Sequence, residues 1–334
     1  MNLVTGATGH IGNGLVRSLV AKGERVRALI LPGEDTTCLD GLPVELVHGD
    51  VLKVDTLPRA FEGVRYVYHL AGMISILPGR DSRMERVNVL GTQNVVSAAL
   101  QANVCRLIYT SSIHAINRAP HGRVIDEHTP FDPVNAISSY DRSKAIASLA
   151  VQAAVCEGLD VVLVCPTGVI GPYDYRLSEM GRLILDCIDR KPQLYVDGAY
   201  DFVDVRDVAD GLALACERGK TGQSYILSGE QISVRSILQS VLEITGERFS
   251  MLRIPIGVAR FFAVFTPLYY RLRRLRPRIT SYSLETLVSN SRISHERAAN
   301  ELGYQPRPLG ESLADTVHWL RQNRHLLVSP ARGA

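Results

Sequence analysis

Along the first half of the chain, short apolar runs alternate with segments of helical spacing, the pattern of parallel strands joined by helical crossovers. Leu3 to Thr5, Arg25 to Leu31, Val44 to His48, Tyr66 to Leu70, Arg106 to Thr110 and Val161 to Cys165 read as strands. Ile11 to Lys22, Asp55 to Phe61, Met84 to Ala102 and Tyr140 to Glu157 read as the helices between them. Six such strands predict an α/β fold, a doubly wound parallel sheet with its ligand crevice beyond the carboxyl ends of the strands. After Pro166 the elements shorten, with loops at Gly171-Pro172-Tyr173, Asp197-Gly198 and Gly229, so a smaller lobe is expected there. Phe202 to Arg218 again reads as strand, turn and helix, and is expected to return to the first domain.

In Thr5-Gly6-Ala7-Thr8-Gly9-His10-Ile11-Gly12, glycines at spacings of three separate the first strand from the first helix. Glycine here permits a tight turn, close approach of a pyrophosphate and close helix–strand packing, while the helix N-terminus offers free N–H groups. Residues 1–165 therefore read as a dinucleotide-binding Rossmann-type domain, and residues 166–330 mainly as a substrate-binding lobe. The second strand ends at the apolar Leu31, without an acid for a ribose 2'-hydroxyl or an arginine for a 2'-phosphate. Lacking a carboxylate to repel the phosphate, the sequence leans to NADP(H) over NAD(H), with Thr36, Thr37 or loop N–H groups as donors.

Tyr140 and Lys144 stand four apart, on one face of the helix that begins there. An ammonium near a phenol favours phenolate, bringing a pKa of about 10 toward the range of general acid–base work. The strand Arg106 to Thr110 runs into Ser111-Ser112, so hydroxyls reach the same crevice. Ser112 is the candidate donor to a substrate carbonyl, with a local turn cap as its bland alternative.

A length of 334 residues, 46% hydrophobic and 21% charged, is ordinary for a globular protein, and a net charge of +3 is too small for a nucleic-acid binder. Six scattered cysteines lack metal-ligand spacing, so neither a metal site nor a disulfide framework is expected. The N-terminus reads as a strand rather than a signal peptide, which makes cytoplasmic the expected location.

Together, Thr5 to Gly12, Thr110-Ser111-Ser112 and Tyr140 to Lys144 resemble the extended short-chain dehydrogenase/reductases of the NAD-dependent epimerase/dehydratase family. The likeness spans nearly the whole chain through Gly49-Asp50-Val51, His69-Leu70-Ala71-Gly72, Asn88 to Thr92, Cys165 to Pro172, Asp204 to Ala209 and Glu301 to Tyr304. The dihydroflavonol-reductase-like and 3β-hydroxysteroid-dehydrogenase-like branches look most similar, on Tyr109 to Ser112, Asp204 to Ala209 and Pro277 to Thr280.

The resemblance implies Tyr140 as proton donor, Ser112 as carbonyl partner and Lys144 on the nicotinamide ribose. It places Asp50 and Val51 at the adenine, Ala71 and Gly72 behind the cofactor, and Pro166, Thr167, Gly168 and Val169 as the nicotinamide wall. Gly6, Thr8, Gly9, His10, Ile11, Gly12, Leu31, Leu70, Asn88, Thr110, Ser111 and Tyr140 complete the expected cofactor contacts. A homodimer built on the helices Met84 to Ala102 and Tyr140 to Glu157 is implied as well. Asp207 reads as a helix cap, and His69 and His114 as packing or turn residues.

The apolar loop Met73 to Pro78 and the segment Ile254 to Tyr270 favour a small hydrophobic substrate over a sugar diphosphate. The arginines from Arg271 to Arg278 read as a solvated basic face in preference to a membrane-surface element. The expected chemistry is carbonyl/alcohol oxidoreduction. Nucleotide-sugar epimerisation or dehydration with a retained cofactor is the alternative enzyme, and a dinucleotide-sensing regulator the alternative without turnover.

Overall fold

A computed structural model describes residues 1–75, 79–263 and 280–327. Strands β1 (Asn2–Thr5), β2 (Val26–Ile30), β3 (Val44–His48), β4 (Tyr66–His69), β5 (Arg106–Thr110) and β6 (Val161–Pro166) fall within one residue of the apolar runs. β1 and β6 are buried along their whole length, which is why they read as continuous apolar runs.

The later strands are β7 (Gly168–Ile170), β8 (Gln193–Tyr195), β9 (Ala199–Asp204), β10 (Ser224–Leu227), β11 (Glu230–Ser233) and β12 (Met251–Arg253). β10 pairs in parallel with β6 and makes the large sheet seven-stranded, where the sequence suggested six, in the order β10-β6-β5-β4-β1-β2-β3. This four-residue run, Ser-Tyr-Ile-Leu, is too short and too polar at its start to stand out by pattern. β7, β9 and β11 form a second, mixed sheet, and β8 pairs with β12. Strand order reverses at β1, which lies between β2 and β4, so the crevice opens at their carboxyl ends.

Helix α1 (His10–Ala21) lies against α7 (Val205–Arg218), close enough that a Cβ on Gly14 would stand 3.0 Å from Val205 Cγ2. The segment 202–218 is thus divided: its strand belongs to the small sheet, and its helix packs beside α1. The cap of α7 is Asp204, whose carboxylate accepts from Arg206 N, and not Asp207. Asp207 accepts instead from the backbone N and Nε of Arg307, at 2.8 and 2.9 Å.

The predicted helix Met84 to Ala102 is interrupted. α3 (Ser82–Glu85) leads into a π-helical turn, Arg86–Leu90, before α4 (Gly91–Gln101). Gly91 passes so near β3's following loop that a Cβ would meet Val51 Cγ2 at 2.7 Å. The wider turn aims Asn88 inward, as such insertions often do near functional sites. α5 (Ser139–Ala153) begins where Ser138 accepts from Asp141 N.

Ile76 to Pro78 and 264–279 lie outside the described residues, and with them part of the apolar loop, all of Phe265 to Tyr270, the arginine run and Pro277 to Ile279. Among the described residues no helix is long and apolar enough to cross a membrane.

Candidate active site

β1 delivers the glycine turn. Gly6 adopts φ +71°, and a Cβ there would lie 2.7 Å from Ala71 N, while one on Gly12 would lie 2.1 Å from Gly6 O. These two glycines are required by the fold itself. Gly9 differs: it caps α1 in an extended conformation, and an added Cβ would meet only Gly6 O, at 3.3 Å. No side chain caps α1, so its first-turn N–H groups are left for a ligand. Beneath the turn, Thr5 Oγ1 accepts from Leu70 N and Ala71 N and contacts His69 Nδ1 at 2.7 Å, tying β1 to β4. Burial holds the His69 imidazole at a pKa of about 3, so it is a neutral packing residue.

The end of β2 is not without an acid. Glu34, three residues beyond Leu31, folds back so that Oε2 accepts from Leu31 N at 2.8 Å and Oε1 from Thr8 Oγ1 at 2.6 Å. Arg176, from the loop after β7, donates to the same Oε1 at 2.6 Å and to Thr8 Oγ1 at 2.8 Å. A carboxylate and a guanidinium therefore meet where the sequence showed neither. The signal was hidden because one lies past the strand and the other 142 residues away.

Tyr140, Lys144 and Ser112 come together at the ends of β5 and β6. Lys144 is buried, and its Nζ donates to Thr110 O at 2.8 Å and lies 5.0 Å from the Tyr109 ring centroid. A Cβ on Gly72 would stand 3.6 Å from that ammonium. Burial lowers the Lys144 pKa to about 8. Tyr140 departs from the sequence expectation: burial raises its phenol to about 12, with the Ser112 hydroxyl opposing and Asp141 adding. Removal from water is the largest cause and no cation offsets it, so the phenol keeps its proton at neutral pH, as a donor to a carbonyl must. Ser112 caps the turn Ile113–Ala115 by accepting from His114 N at 3.2 Å, which leaves its own hydrogen free to donate.

The other expected contacts divide. Ser111 Oγ is engaged by Ser148 Oγ at 2.6 Å, and the Asn88 side chain bonds Met73 N and O and Ser143 Oγ. Asp50 turns its carboxylate to Leu52 N, and His10 Nε2 contacts Pro172 O at 2.9 Å. Pro166 closes β6, and Thr167 N bonds Leu227 O. The glycine cradle and a buried ammonium with one acceptor suit a dinucleotide, the pyrophosphate at Gly9 to Ile11 and ribose hydroxyls at Lys144.

Beside this group lies a cavity of about 330 Å³, walled by Met180, Leu183, Tyr200, Phe202 and Tyr282, with His114 and Gly168 also in its lining. The His114 ring lies 6.3 Å from that of Tyr140 and 6.2 Å from that of Tyr282, so this histidine borders the cavity. Tyr282 OH donates to Asp141 Oδ1 at 2.6 Å, joining the second lobe to the residue after Tyr140. Ser112, Tyr140 and Lys144 line neither this cavity nor a wider hollow of about 490 Å³ against Leu57 to Gly63 and Ser97 to Ala102; the smaller cavity is joined to Tyr140 through His114.

Residues 2–228 match the NAD dependent epimerase/dehydratase family. Sterol demethylase protein B of Methylococcus capsulatus is 38% identical, over 96% of this chain and 98% of that protein. A putative dihydroflavonol 4-reductase of Synechocystis sp. is 32% identical, over 97% and 95%. The crystal structure of gox2253 superposes with a TM-score of 0.85 at 34% identity, covering 97% of this chain and 98% of that one. With a glycine cradle, a seven-stranded parallel sheet and these relatives, the chain belongs to the NAD dependent epimerase/dehydratase family and is an NAD(P)-dependent oxidoreductase of the extended short-chain dehydrogenase/reductase type.

Proposed function

We propose that the protein interconverts a ketone and an alcohol on a small apolar molecule, with Tyr140 transferring the proton. The observation that carries this reading is the buried Tyr140 and Lys144 beside a cavity with mostly apolar walls. Ser112 and Tyr140 hydrogen-bond the carbonyl oxygen; as negative charge grows there, Tyr140 gives up its proton to form the alcohol. A dinucleotide held at Gly9 to Ile11 and Lys144 would supply the hydride to carbon, or accept it in the opposite direction. Lys144 holds ribose hydroxyls and, as a cation, offsets the phenolate left behind.

The apolar walls favour this reading over turnover of a nucleotide sugar, and relatives named for a sterol and a flavonoid support a ring-fused substrate. The anchored Glu34 carboxylate at the end of β2 suits a 2'-hydroxyl and supports NAD(H) as the proposed cofactor, while Arg176, paired with it, is the group that would meet the 2'-phosphate of the NADP(H) favoured by the sequence. Exposed Leu90 and Leu149, at α4 and on α5, support a homodimer through these helices, which light scattering would reveal. Six unbridged cysteines fit a cytoplasmic setting.

The test is a screen of NADH and NADPH against ketones and aldehydes of graded polarity. Turnover of apolar ketones is expected, and Tyr140→Phe should lower kcat by about 10²- to 10⁴-fold with an unchanged melting temperature. A variant with full activity would end the proposal.

A further inference from the structure

Arg182 lies on α6 (Glu179–Ile188) and lines the cavity described above. Its Nε and Nη2 are buried, and neither has a hydrogen-bond partner among the described residues. These two nitrogens form one edge of the guanidinium, the edge that grips a carboxylate through two parallel bonds. The same protein uses that edge elsewhere. Arg206 donates from Nε and Nη2 to the two oxygens of Asp204 at 2.9 and 2.8 Å, and Arg27 does so to Glu45 at 2.9 and 3.2 Å. At Arg182 the edge is complete but unfilled.

Arg182 as a whole is half-buried, but these two nitrogens are shut away from water, and an unsatisfied buried donor costs stability that a ligand accepting from both would restore. Two acids line the cavity with it. Asp186 Oδ1 accepts from Lys191 Nζ at 2.6 Å, Glu179 has a partner of its own, and among the described residues neither acid is a hydrogen-bond partner of Arg182 Nε or Nη2. The remaining wall is mostly apolar.

We propose that Arg182 binds a carboxylate of the substrate, so that the enzyme acts on an apolar alcohol or ketone that also carries an acid group. The inference deepens the proposed function and rests on it for the reaction, but the binding claim stands alone. Fluorescence titration with cis-parinaric acid and its methyl ester tests it without turnover.

The acid should bind the wild-type protein about 10- to 100-fold more tightly than the ester. Arg182→Met should abolish that preference and, by removing two unsatisfied buried donors, melt at or above the wild-type temperature; Arg182→Lys should keep part of the preference. Equal binding of acid and ester by the wild-type protein would overturn the proposal, as would an acid preference that survives in Arg182→Met. Displacement of the probe by UDP in the wild type but not in Arg182→Met would replace the carboxylate with a diphosphate. A protein that shows the acid preference yet reduces no ketone with either cofactor would refute the proposed reaction and leave the carboxylate site standing.

Discussion

Gly9 and Gly12 are three residues apart in one turn, yet the structure gives them opposite duties, which alanine separates. At Gly12 the added Cβ would stand 2.1 Å from Gly6 O. An ordinary contact needs roughly 1 Å more, and backbone on both sides resists the shift, so overpacking should cost about 1–3 kcal/mol. At Gly9 the Cβ would meet one atom, at 3.3 Å, and φ −75°, ψ 166° is open to any residue. Its folding cost should stay under about 1 kcal/mol, the range of a cap substitution.

Gly9→Ala should therefore melt close to the wild type but bind dinucleotide at least about 10-fold more weakly, because the methyl occupies the approach to the helix N-terminus. Gly12→Ala should lose stability first and binding as a consequence. Urea denaturation with parallel isothermal titration of NADH reads both quantities. Undiminished cofactor affinity in Gly9→Ala would refute the location of the pyrophosphate, and an unchanged denaturation midpoint in Gly12→Ala would refute the packing argument.

Lys144 is charged below about pH 8 and loses its charge above it. Affinity for the anionic dinucleotide should fall as pH rises through 8 in titrations from pH 6.5 to 9.5, and Lys144→Met should flatten that limb. Glu34→Gln keeps a hydrogen-bonding side chain without the charge, so the ratio of kcat/KM for NADPH to that for NADH should rise about 10-fold; an unmoved ratio would remove Glu34 from cofactor choice. His69 has a folded pKa near 3, below its ordinary 6.5, so the unfolded chain binds more protons between those values and stability is lost as pH falls through them. The loss is about 2 kcal/mol at pH 5. His69→Gln should lack that component of the difference between urea melts at pH 7 and pH 5, and an identical difference would count against it.

The apolar strands and the glycine turn were legible because their signals are local: a buried parallel strand is apolar throughout, and a tight turn admits little but glycine. That Tyr140 and Lys144 share one helix was legible for the same reason, through their spacing. Asp207 was misread because Asp204, three residues earlier, offers the same carboxylate and takes the cap. Glu34 and Arg176 become partners only when the chain folds back across 142 residues, and no periodicity records that. Arg182 carried no signal in the sequence, since burial of particular nitrogens is a property of the packed cavity. The direction of the Tyr140 shift was missed on the same account, because spacing reports neighbours but not dehydration.

The chain leaves the large sheet after β6, enters the small one at β7 and β9, returns through α7 and β10, and departs again at β11. Neither lobe is a contiguous stretch that could be cut out and exchanged. A fragment ending near residue 165 would lack the β10 edge strand and the helix that covers α1, exposing Val205, Val208 and Leu212's buried counterparts on the sheet. Altering specificity by recombination with a relative would need an internal graft with several junctions. Point changes around the cavity, where α6 and β9 present their side chains, are the shorter path for inheritance and for engineering alike.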